Sequence, residues 1–202
     1  MLKELFESSF YLTFPPITHV RINLIEQIRK GAFSLLDDKA CKDCKFVCAS
    51  DSANREQLKI VSRQDVNIIN VDQIFSYVKD SVGETCDYML ESNEAVALVE
   101  MTCSTGDYVV DKRSKARRQL YNTIALLFSN QNLRQHITNN KSNYVIFSWR
   151  ETFDNTMQSD GVEDIMKDML IMTDGVYSPD NEMNFDFGFK LKEIRYPHAL
   201  LM

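Results

Sequence analysis

Glycine and proline are scarce, six and four in 202 residues. No repeat or low-complexity stretch interrupts the chain, so flexible linkers are not expected between residues 1 and 150. Long apolar runs are missing as well, since nothing approaches the about 18 consecutive apolar residues of a membrane span. Residues 1–10 carry Lys3, Glu4 and Glu7 where a secretory signal would have its apolar centre, which points to a cytoplasmic protein. A glycine-rich phosphate loop and a nucleophile elbow are both absent, which disfavours NTPases and ordinary catalytic triads. The three histidines, His19, His136 and His198, are scattered and read as surface or capping residues.

What is present is a globular composition. Hydrophobic residues make up 44%, aromatic residues 10% and charged residues 26%, enough apolar material for a sizeable core and too much for a disordered chain. The length fits one domain. A net charge of −6 argues against a protein that coats nucleic acid nonspecifically, but the charge is unevenly spread. Residues 1–150 hold 19 basic and 18 acidic side chains, and residues 151–202 hold 4 and 11. The chain therefore divides into a nearly neutral core, 1–150, and an acidic extension, 151–202, within the same domain. The 151–186 segment, with Lys167 as its one basic side chain, is the expected surface for a protein partner or a lid over a basic helix.

Five cysteines in a reducing compartment are not expected to form a disulfide framework. Cys41, Cys44 and Cys48 form a C-x2-C-x3-C cluster that admits two readings: a metal site, with Cys86 or Cys103 as a fourth ligand brought in by the fold, or small buried hydrophobes with inert thiols.

Periodicity orders the elements. Residues 20–31 place Ile22, Ile25 and Ile28 at helical spacing and end in Arg29, Lys30 and Gly31, predicting a first helix. Residues 45–49 and 57–62 read as strands, 71–78 as a short helix, and 86–91 and 95–103 as a hairpin turning at 92–93. The near-continuous apolar character of 95–103 predicts burial on both faces. Residues 111–131 give the strongest helix, with Ala116, Leu120, Ile124 and Leu127 on one face and Tyr121 and Phe128 flanking it. Residues 143–149 read as a strand beside 95–103, with that helix as the crossover. Farther on, 162–170 reads as a helix and 178–184 as loop. The alternation of Phe185, Phe187, Phe189 and Leu191 predicts an added edge strand or a partner surface. The expected fold is α/β, a central mixed sheet flanked by helices.

One constellation carries chemistry. Asp87 and Glu100 lie on successive strands of the hairpin with twelve residues between them. Paired carboxylates suit a hard divalent cation, which takes one or two of them and fills its shell with water and phosphate. On the long helix, at roughly 100° per residue, Lys112, Lys115 and Gln119 form one stripe. The segment Lys112, Arg113, Lys115, Arg117 and Arg118 reads either as a phosphate-contact surface or as a solvated helix start.

Asp87, the run Glu100-Met101-Thr102, and the helix and strand that follow resemble the PD-(D/E)XK nuclease-like superfamily over residues 20–150. That resemblance implies a restriction-endonuclease-like core, a Mg²⁺ or Mn²⁺ site at Asp87 and Glu100, and hydrolysis of DNA or RNA. It also implies that Thr102 stands where the superfamily has lysine, with loss of the charge that orients the attacking water. By the same resemblance Lys115, then Lys112, is the candidate displaced lysine and Gln119 the helix glutamine of several branches; on the phosphate-contact reading of the basic segment, Arg113, Arg117 and Arg118 are the nucleic-acid contacts. Glu26 is either a further acidic ligand, as in some branches, or a solvated carboxylate. The expected function is a nuclease-fold subunit of a prokaryotic nucleic-acid-processing or phage-defence complex, non-hydrolytic or weakly active on its own. The alternatives are an active Mg²⁺-dependent nuclease and an unrelated α/β protein-binding subunit.

Overall fold

The computed structural model describes residues 2–10, 26–35, 58–75, 82–104, 109–139, 142–151, 183–196 and 198–202. Four sequence-based expectations lie outside these: the strand at 45–49, the cluster Cys41, Cys44 and Cys48, the helix at 162–170, and nearly all of the acidic 151–186 segment.

The described residues form a mixed sheet of eight strands with helices, an α/β fold. Strands β1 (Glu26–Leu35), β2 (Leu58–Asn70), β3 (Tyr88–Glu91) and β4 (Ala95–Ser104) run antiparallel in succession. Strand β5 (Ser142–Glu151) lies parallel to β4, and β7 (Lys190–Arg195) parallel to β5. The two-residue β6 (Met183–Asn184) pairs with β7, and β8 (Ala199–Leu201) lies parallel to the first half of β2. Helix α1 (Leu2–Leu5) continues as a π-helical turn to Phe10, α2 (Val71–Phe75) follows β2, and α3 (Val109–Phe128) with α4 (Gln131–Thr138) connects β4 to β5.

The central strands match their patterns. On one face of the sheet, Val96, Leu98, Val145 and Leu191 pack with Leu120, Ile124 and Leu127 of α3, Leu133 and Ile137 of α4, and Phe6 and Phe10. On the other, Ala97, Val99, Met101, Ile146 and Ile194 join Ile60, Ile68, Leu90 and Leu200. Strands β4 and β5 are thus apolar on both faces, as their runs predict. Each large side chain so buried contributes roughly 1.5–3 kcal/mol.

Three elements differ from expectation. Residues 26–35 are a strand, not the end of a helix, so Glu26 opens β1. Ile28 is 62% exposed and belongs to no core face. Gly31, read as a helix C-cap, uses the same conformational freedom elsewhere: its φ of +87° sits at the bulge where the β1–β2 register shifts between Arg29 and Gly31. Second, the helix expected at 111–131 ends at Phe128, and a further helix that was not expected, α4, follows it. Asn130 caps α4, its Oδ1 accepting from the Asn132 and Leu133 N–H groups at 3.1 Å each. Third, the Phe185–Leu191 alternation is not one strand. Asp186–Gly188 is a 3-10 turn, and Phe185 N–H donates to the Phe189 carbonyl at 2.8 Å. The regular strand starts only at Lys190, and Met183–Asn184, expected as loop, is its antiparallel partner.

Candidate functional site

Asp87 immediately precedes β3, one position beyond the Tyr88–Val99 pair, and therefore reaches β4 beside Glu100. Its Oδ2 accepts the Met101 N–H at 2.7 Å, so the carboxylate ends the hairpin ladder by standing in for a backbone acceptor. Its carbonyl accepts the Val71 N–H at 2.9 Å, tying it to the start of α2. Glu100 is buried and alternates with Val96 and Leu98, which puts it on the helix-covered face. In register it lies beside Phe147 on β5, and Phe147 beside Glu193 on β7.

Helix α3 fixes the segment that delivers Asp87. Asn122 Nδ2 donates to the carbonyls of Val82 at 2.6 Å and Glu84 at 2.9 Å, and Gln119 Nε2 to that of Thr85 at 3.1 Å. Thr123 Oγ1 accepts the Cys86 N–H at 2.8 Å while donating to the Gln119 carbonyl. Of the stripe Lys112, Lys115 and Gln119, the last two face this segment and have other duties. Gln119 holds backbone, and Lys115 Nζ pairs with Glu84 at 2.9 Å. Lys112 is exposed. Arg113 turns to the opposite flank, where it pairs with Glu193 at 2.9 Å and lies 6.0 Å from the Trp149 ring. Arg117 and Arg118 are exposed and, among the described residues, make no ion pair.

The Cys86 thiol is buried between the two carboxylates. Burial raises its pKa well above the ordinary thiol range, the Glu100 charge raises it further, and Asp87 adds a smaller push; hydrogen bonding with Thr123 and the Val99 backbone opposes them. Near pH 7 the thiol is therefore neutral and not a thiolate nucleophile. A raised native pKa means that above about pH 8.5 the unfolded chain binds fewer protons than the native one, so stability falls as pH rises, by up to about 1.4 kcal/mol per unit. Comparing urea midpoints of wild type and Cys86→Ala from about pH 8 to 10 should show the steeper alkaline loss in wild type alone. Parallel curves would refute the assignment.

For a divalent cation the fit is narrow. Asp87 and Glu100 supply the one or two carboxylates that Mg²⁺ takes from protein, while Asp87 Oδ2 also accepts the Met101 N–H. Among the described residues, no group of three or more His, Cys, Asp or Glu side chains is placed to hold a metal. No helix among them is long and apolar enough to cross a membrane.

The residue that sequence reasoning missed is His136. Its Nε2 lies 2.6 Å from Glu91 Oε1, at the opposite end of β3 from Asp87. The pair joins α4 to the hairpin, and α4 lies just beyond the helix expected at 111–131, where no helix was expected.

No family model matches this chain, and neither a curated protein nor a solved structure matches it.

Proposed function

We propose that the chain is a nuclease-fold subunit of a nucleic-acid-processing or phage-defence complex, one that binds nucleic acid without hydrolysing it on its own. The observation that carries this reading is the disposition of the cations. Thr102 occupies the position of the superfamily lysine, and the candidate replacement, Lys115, pairs with Glu84. A hydrolytic site without a cation beside the attacked phosphate forgoes electrostatic stabilisation worth about 3–4 kcal/mol for a single lost donor. The resemblance itself rests on the order hairpin, helix, parallel strand and on Asp87 and Glu100. The exposed Arg117 and Arg118 support binding, since guanidinium groups contact phosphate backbones.

The test is incubation with plasmid, linear duplex and single-stranded DNA and RNA in Mg²⁺ or Mn²⁺, beside Asp87→Ala. We expect no cleavage that depends on Asp87. Cleavage abolished by Asp87→Ala would replace this reading with the active nuclease. A Mn²⁺-dependent rise in melting temperature, lost in Glu100→Ala, would assign the two carboxylates to a retained metal site. In the same preparations Arg117→Glu with Arg118→Glu should weaken nucleic-acid binding and flatten its salt dependence.

A further inference from the structure

Helix α3 has a second flank outside the carboxylate site. Arg113, Arg117 and Tyr121 recur every fourth residue, and Phe128 follows on the same stripe at roughly 100° per residue. This stripe faces the β6–β7 hairpin. Between them lies an open groove of about 520 Å³ lined by Arg117, Arg118, Tyr121, Asn184, Phe185 and Asp186. Tyr121 of its lining is 47% exposed and Phe187, in ring contact with Tyr121, is 44% exposed; their ring centroids are 5.6 Å apart at 45°. Phe128 braces Phe187 edge-on at 5.6 Å, and Arg134 lies 5.7 Å from the Phe128 ring.

The conformation of Phe187 makes this surface more than a chance exposure. Its φ of 62° and ψ of 22° lie in the left-handed region, which a bulky side chain enters only at a cost. Glycine, as at the neighbouring Gly188 with φ of 80°, would make the same turn without strain. The chain thus accepts backbone strain in order to hold an aromatic ring half in water. Neither feature serves the core, and strained residues of this kind concentrate at binding sites. Among the described residues the groove's charged lining is Arg117, Arg118 and Asp186, two positive charges to one negative. Among the described residues the two arginines are left out of ion pairs, unlike Arg113 and Lys115.

We infer that this groove binds single-stranded nucleic acid, with unpaired bases stacking on Phe187 and Tyr121 and the phosphates held by Arg117 and Arg118. The inference rests on the proposed nucleic-acid-binding function and narrows it to one substrate class. Aromatic rings set in a basic groove are what unpaired bases use, because each base offers a π-face that a duplex keeps inside its stack. An acidic polypeptide would satisfy the arginines but has no need of the ring pair.

The experiment is fluorescence anisotropy of the full chain with labelled oligothymidylate, a duplex of the same length, and poly-glutamate as a charge-only competitor. Wild type should prefer the single strand. Phe187→Gly removes the ring and relieves the strained backbone, so its melting temperature should not fall, while affinity for the single strand drops on the order of ten-fold. Phe187→Trp should restore affinity. Unchanged binding by Phe187→Gly, equal affinity for duplex, or displacement by poly-glutamate as effective as by unlabelled oligothymidylate would each overturn the inference. If Arg117→Glu with Arg118→Glu still weakens nucleic-acid binding in those cases, the proposed function stands without it. Wild type that binds neither nucleic acid removes both.

Discussion

Truncating Phe147 to alanine is expected to cost about 3–5 kcal/mol, a fall of roughly 6–20 °C in melting temperature for a chain of this size. Phe147 is 1% exposed and stacks on Trp149 with ring centroids 5.6 Å apart and planes 21° apart. Beneath Ala116 of α3 the two rings form their own small cluster. The site is a demanding place for a cavity, because Phe147 separates Glu100 on one side from Glu193 on the other. Removing the ring would open a void beside two carboxylates and loosen the surface against which Arg113 packs. Thermal and urea denaturation would measure the loss. A change below about 1 kcal/mol would mean that α3 closes onto the sheet far more freely than a packed interior allows.

The second large effect belongs to the pair between α4 and the hairpin. Glu91 is 3% exposed, and its 2.6 Å contact with His136 is the kind of bond to an ionisable group worth about 1.5–3 kcal/mol. His136→Ala should therefore destabilise by about 2–3 kcal/mol. The double replacement Glu91→Leu with His136→Leu should recover part of that, because it removes the buried carboxylate together with its partner. A double-mutant cycle from urea midpoints reads the coupling directly. A coupling near zero would show that the contact contributes little to joining α4 to β3.

The two residues of that pair stand 45 positions apart in sequence, which explains why His136 reads from sequence as a surface or capping residue and not as the partner of a buried glutamate. Local periodicity made the β3–β4 hairpin, helix α3 and strand β5 legible, because each repeats its apolar side chains at a period set by its own backbone. Tertiary choice decided the rest. Gly31 fits a helix C-cap and a bulge equally well, and pairing of β1 with β2 selects the bulge. The aromatic alternation around Phe187 looks like a strand until the turn at Asp186–Gly188 divides it. For the carboxylate site, spacing identified the flank of α3 that carries Lys112, Lys115 and Gln119. It could not reveal that Glu84 and the Thr85 carbonyl would occupy two of those side chains.

The parallel pairing of β8 with β2 bears on how the protein is made. Residues 199–201 bond to residues 59–61, so each residue of this edge waits for a partner synthesised 140 positions after it. At ribosomal rates of about 5–20 residues per second, that edge of β2 waits roughly 7–28 s on a nascent chain. During the wait its N–H and C=O groups are open to another copy of the same strand. Sheet closure here is a late event of high contact order. Yield on expression should accordingly respond to temperature and chaperone supply more than to the stability of the finished fold.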